Sequence, residues 1–222
     1  MISRLHLVTD DEVLGAEGFE GRAHEAMEAG AGKVTLHLRG PRTAVRHLWD
    51  VAERLAPRAR RLGVPLLVND RVDVAMALGL DGVHLGERSF PVATARRLLA
   101  VGLGSAATLV GRSFHDPEEA RESVGLEGVP DFCLVGTLFA TPSHPGREGS
   151  GPSRVGEMAE AVPGIPLIGI GGIDRSRLPE VITAGAHGVA VVRAAWAAEH
   201  PGRAVAALLE MIADSTGRGS DE

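Results

Sequence analysis

Only one of the 222 residues is a cysteine, Cys133. That excludes an intrachain disulfide and a cysteine-rich metal site. Its place in the apolar run "DFCLVG" makes it a small core residue. Basic residues are in the minority. There are 23 Lys and Arg against 29 Asp and Glu, for a net charge of −6. A weakly acidic chain has no electrostatic reason to bind nucleic acid or an anionic membrane, so neither is expected as a partner. Any phosphate it binds must be held by local groups. No apolar run approaches the ~18 residues needed to span a bilayer. The opening "MISRLHLVTDDE" does not read as a signal peptide, because its apolar part is too short and acids follow at once. A cytoplasmic protein is expected. No linker and no low-complexity segment interrupts the chain.

What is present is an ordinary globular composition, 44% hydrophobic and 23% charged. Short apolar runs recur at fairly even spacing: 5–9, 34–39, 65–69, 82–86, 108–113, 132–137, 166–172 and 188–192. Segments of helical periodicity lie between them, such as "AVRHLWDVAERLAPRARRL" and "VATARRLLAVG". Most runs are apolar on successive residues, so both strand faces look buried, as in parallel sheets covered by helices. Eight such units in one chain predict a closed (β/α)8 TIM barrel, a single domain over 1–214, with a frayed polar tail at 215–222. A doubly wound open sheet is the alternative. Eight regular units without a nucleotide fingerprint after the first strand disfavour it. "GLDGVHLG" and "GAHGVAVV" share a spacing in which one glycine ends a helix and a second opens a strand.

In such a barrel the residues after each strand share the C-terminal rim, where active sites sit. Arg39 falls there after strand 2, and Asn69 and Asp70 after strand 3. Glu87, Arg88 and Ser89 follow strand 4, Ser113 and His115 follow strand 5, and Arg193 follows strand 8. "IGIGGID" after strand 7 offers the clearest local chemistry. The backbone N–H groups of Gly171 and Gly172, with the following helix N-terminus, suit a phosphate. Val192 and Arg193 are expected to complete that site. The loop 138–152, rich in Gly and Pro, has the length of a lid. Asp116, before Pro117, reads as a helix N-cap.

"NDRVDVAMALGLDGVHLG", "PLIGIGGI", "GAHGVAVV" and "LHLVTD" resemble the superfamily of thiamin phosphate synthase and thiazole tautomerase (TenI), in register from about residue 5 to 195. The resemblance implies the barrel fold, a homodimer and a small phosphorylated thiazole as substrate. Its two branches differ at the rim. Against the synthase pattern Gln-x-Arg-x-Lys stands "HLRGP", with His37, Arg39 and Pro41. Against Gly-Gln-Glu-Asp stands "GERS", with Ser89 in place of a metal-binding Asp. Against Thr-Pro-Thr-Lys-Lys stands "TPSHP", with His144 and Pro145. Only Asp70 remains of the implied metal pair. The tautomerase branch is similar in "LHLR", "RSF" and "GRSFH", which makes His115 the implied acid and base.

The expectation is therefore a thiazole tautomerase, an isomerase that moves a proton through His115 without metal or organic cofactor. Arg39, Asn69, Ser89, Ser113 and His37 are candidate substrate contacts. His37 is the rival base, although a position inside the barrel suits it better. His6 and His84 read as structural. The alternatives are a Mg²⁺-dependent thiamin phosphate synthase and a non-catalytic thiazole phosphate-binding or regulatory protein.

Overall fold

The computed structural model describes residues 1–103, 108–141 and 148–217. Eight parallel strands close into a barrel in sequence order, with β8 pairing back onto β1. They are β1 (Leu5–Val8), β2 (Val34–Leu38), β3 (Leu66–Asn69), β4 (Gly82–Leu85), β5 (Leu109–Phe114), β6 (Phe132–Val135), β7 (Leu167–Ile170) and β8 (Gly188–Val191). The expected (β/α)8 TIM barrel is the fold.

The helices are α1 (Asp11–Gly15), α2 (Phe19–Ala29), α3 (Val45–Leu62), α4 (Val72–Leu78), α5 (Val92–Leu103) and α6 (Pro117–Glu127). The chain continues through α7 (Ser153–Ala161), α8 (Leu178–Thr183), α9 (Arg193–Trp196) and α10 (Pro201–Gly217). α3 shows how the sequence drives the packing. Leu48, Val51, Ala52, Leu55 and Ala59 recur at helical spacing and are buried against the sheet. α4 stops at Gly79, whose φ of 59° is left-handed, as the "GLDG" spacing predicts. Asp116 caps α6, accepting from the N–H groups of Glu118 and Glu119, with Pro117 in the first turn. α10 runs on to Gly217, three residues into the stretch expected to fray.

Two apolar layers hold the molecule. The larger lies between sheet and helices, and Cys133 is in it, fully buried. The smaller fills the barrel with Val8, Leu67, Phe132, Leu134, Ile168 and Ala190. Because side chains alternate along each strand, His6, His37 and His84 also point inward and are buried beside Phe132.

Differences from the sequence-based expectation sit at the rim. α1 and α9 are short helices inside strand-to-helix connections and carry too few residues to show a period. The apolar run of strand 7 extends to Gly172, but the strand ends at Ile170. Gly171 and Gly172 have φ values of 101° and 64°, which the pleat cannot hold.

Candidate active site

A cavity of about 1410 Å³ opens at the C-terminal mouth of the barrel. Arg39, Asn69, Ser89, Ser113, His115, Gly171, Gly172, Val192 and Arg193 all line it, together with His84. His37 does not. It is fully buried one layer below, and its Nε2 lies 2.8 Å from His6 Nδ1. The candidate role of His37 as a substrate contact or base is corrected accordingly. Inward alternation gives it the right face and the wrong depth.

One corner is built around Asp70. Its φ of 60° makes it the single described non-glycine residue in the left-handed region, a strain typical of functional sites. That turn carries its carboxylate across to the β4–α5 loop. There Oδ1 accepts from the Gly86 N–H at 2.7 Å and from the Ser89 hydroxyl. Asp70 does not pair with its neighbour Arg71, because Arg71 binds Asp73 instead. Arg39 and Arg71 line the same side of the cavity.

The loop that carries Ser89 is braced from behind by Arg112. This arginine is buried, and it donates to the carbonyl of Phe90 at 3.1 Å and that of Glu87 at 3.4 Å. Glu127 lies 3.4 Å from its guanidinium and balances the charge. Sequence reasoning misses this residue, since nothing in "GRSFH" marks the arginine as pointing outward into the helix layer.

The second corner lies after β7 and β8. A Cβ on Gly171 would stand 2.6 Å from Thr137 Cγ2, and one on Gly172 would stand 2.8 Å from the carbonyl oxygens of Phe139 and Ala140. These glycines therefore let the β7–α8 loop press against the segment after β6. Their N–H groups are not engaged by another group among the described residues. The helix N-terminus expected to follow at once starts only at Leu178. The charge is instead supplied by side chains. Arg193 is exposed, with Nη2 3.5 Å from Thr141 Oγ1. Arg177, which no sequence motif singles out, donates to the Gly172 carbonyl at 2.8 Å and lies 4.8 Å over the Phe139 ring. No spacing rule picks out an arginine five residues beyond a glycine pair.

His115 stands on the exposed rim. Its Nδ1–H donates to the Gly136 carbonyl, so its Nε2 is the free nitrogen. At and below the floor, burial lowers the three interior imidazoles from their ordinary value, His6 to about 4 and His84 to about 3. His37 is pushed well down by burial and by the neighbouring His6 and His84. All three are neutral at physiological pH. Of the loop 138–152, residues 142–147, with His144 and Pro145, lie outside the described residues.

Among the described residues no group of three His, Cys, Asp or Glu side chains is placed to enclose a metal ion. The donor set at the first corner is one carboxylate and one hydroxyl, Asp70 and Ser89. Mg²⁺ usually binds through one or two carboxylates and takes its other oxygens from water and substrate phosphates. The corner fits that mode and does not fit an all-protein cage.

Fold and site together define a (β/α)8 barrel with a polar cavity at its C-terminal mouth. Residues 5–195 match the family described as thiamine monophosphate synthase, and the chain belongs to that family. A thiamine-phosphate synthase of Thermus thermophilus is 39% identical over 213 residues, 96% of this chain and 98% of that protein. One from Gloeobacter violaceus is 44% identical over 177 residues, 80% of this chain, which spans only 50% of that relative. A thiamine phosphate pyrophosphorylase from Pyrococcus furiosus superposes with a TM-score of 0.78 at 28% identity, covering 96% of each chain.

These relatives overturn the tautomerase and isomerase expectation, which rested on three motifs that depart from the synthase pattern and on "LHLR", "RSF" and "GRSFH". The missing residues do not dismantle the first corner, because Asp70 and Ser89 still meet there. The expectation of a metal-free reaction was drawn from that assignment. No described helix is long and apolar enough to cross a membrane.

Proposed function

We propose that this chain is a thiamine-phosphate synthase, a transferase that joins a pyrimidine pyrophosphate to a thiazole phosphate and releases pyrophosphate. The relatives named for that activity, one of them matched over nearly its whole length, carry the reading. The cavity supports it by offering two polar corners on one floor, one for each phosphorylated substrate.

The roles follow from the chemistry of each corner. Gly171 and Gly172 with Val192, Arg193 and Arg177 hold the thiazole phosphate, through loop N–H groups and two guanidinium groups. Asp70 and Ser89 would hold a Mg²⁺ ion, and Arg39 and Arg71 face the pyrophosphate. When bound, Mg²⁺ supplies positive charge to the oxygens that depart. Substitution at the carbon bearing the pyrophosphate makes that leaving group more negative as its C–O bond lengthens. Preplaced cations lower the barrier because they need not reorganise at that moment. Asn69 and Ser113 hydrogen-bond the ring between the two corners. His115 keeps a substrate-binding place at the rim. The reaction as a whole moves no proton to carbon, so it asks for no general base there. A small phosphorylated thiazole remains the expected partner.

The test is turnover. Purified protein given both substrates and Mg²⁺ should form thiamin phosphate and pyrophosphate in equal amounts, stop with a chelator and resume with added Mg²⁺. Absence of product, with binding of both substrates intact, would refute the assignment.

A further inference from the structure

Three neutral histidines climb the inside of the barrel to the cavity floor, and neither corner uses them. At the bottom, His6 Nε2 lies 3.0 Å from the Ser3 carbonyl oxygen. A carbonyl only accepts, so this nitrogen carries the proton, and in a neutral ring Nδ1 is then bare. That bare nitrogen accepts from His37 Nε2–H at 2.8 Å. His37 Nδ1 is left as a lone pair, and the Asn69 side chain is the other hydrogen-bonding group beside this ring.

His84 shows the same arrangement one layer higher. Its Nε2 lies 2.7 Å from Ser113 Oγ, while its Nδ1 is buried without a partner, against Gly111. The ring edge-packs on His37 and stacks on Phe132, and neither ring hydrogen-bonds Nδ1. A single proton must be placed on one of the two nitrogens. On Nδ1 it would be a buried, unpaired donor, the rarer and costlier arrangement. On Nε2 it has the serine oxygen as acceptor.

We propose that His84 is a positioning residue: its Nε2–H is donated to Ser113 Oγ, which turns the serine's own hydrogen into the cavity as a donor to the substrate. The opposite polarity would have Ser113 donate downward and present only lone pairs. Those would repel the phosphate oxygens and ring nitrogens of the proposed substrates. The role in turnover rests on the synthase reading, whereas the proton position does not.

The decisive measurement is a long-range ¹H–¹⁵N correlation spectrum of ¹⁵N-histidine-labelled protein, assigned with the help of His84→Gln. We expect His84 to be protonated on Nε2 and bare on Nδ1, and a proton on Nδ1 would overturn the proposal. In turnover, His84→Met and Ser113→Ala should each lower kcat/KM roughly tenfold or more. The double variant should be no worse than either, and His84→Gln, which keeps an N–H at similar reach, should recover most of the loss. Losses that multiply in the double variant would also overturn it. If His84→Met fails to fold, the spectrum of the wild-type protein still decides. A wild-type protein that makes no thiamin phosphate would remove the synthase reading and leave the spectrum to judge the proton position.

Discussion

Asp70 carries the most chemistry per atom. Its left-handed backbone brings a carboxylate from the end of β3 onto the loop after β4, where Gly86 and Ser89 fix it. Asp70→Asn keeps the shape and removes the charge. It should fold normally and lose on the order of a hundredfold in kcat/KM, with a raised Mg²⁺ requirement. A Mg²⁺ titration of initial rates checks both. Gly171 is a different case, because its demand is steric. With φ at 101° and Thr137 Cγ2 2.6 Å from the added Cβ, Gly171→Ala should destabilise the fold by roughly 1–3 kcal/mol. It should also weaken thiazole phosphate binding. Thermal unfolding and calorimetric titration read the two effects separately. The motif "IGIGGID" signals a need for glycine by itself. It does not signal the steric reason, since the pressing neighbours come from the segment after β6.

Elements decide which rim residues meet. The β4–α5 loop presents Ser89 only because Arg112 holds the carbonyls of Glu87 and Phe90 from within the helix layer. Arg112→Met keeps the bulk and removes those bonds. It should cost about 1–3 kcal/mol in urea unfolding. It should also raise KM for the pyrimidine pyrophosphate more than KM for the thiazole phosphate, because the second corner stands on other loops. The strands themselves are legible in the sequence, since runs of Val, Ile and Leu with no polar face have few other places to go. Depth along a strand is not. Period two assigns His37 to the barrel interior, but only the register Leu36↔Leu66 and the stagger of the barrel place it below the floor. Arg112 is hidden for a related reason: a residue near a strand's C-terminal end can face the helices rather than the mouth.

The whole molecule buries three imidazoles that an unfolded chain would protonate near pH 6.5. Their folded values are depressed, to about 4 for His6 and about 3 for His84. The unfolded state therefore takes up more protons than the native state as pH falls through 6.5. The stability they contribute is full above that pH and is lost progressively down to about 4 for His6 and about 3 for His84. At pH 5 His6 and His84 should each have forfeited on the order of 1–2 kcal/mol, so denaturant midpoints should drop between pH 7 and 5. A flat profile would mean that water reaches the barrel interior. At this scale the sequence is most informative about the fold, because eight βα units and their glycines repeat. It is least informative about which branch of a superfamily the rim belongs to. Ser89 in place of an acid reads as a lost metal site, and no spacing in the sequence shows that Ser89 meets Asp70.

A single assay decides whether the protein runs the synthase reaction. The protein, with Mg²⁺, pyrimidine pyrophosphate and thiazole phosphate, is followed for thiamin phosphate over time, with Asp70→Asn run beside it. The wild type should form product steadily, balanced by pyrophosphate release, and the variant should be slower by on the order of a hundredfold. Product at equal rates from both would contradict the role given to Asp70, and no product from either would contradict the assignment itself.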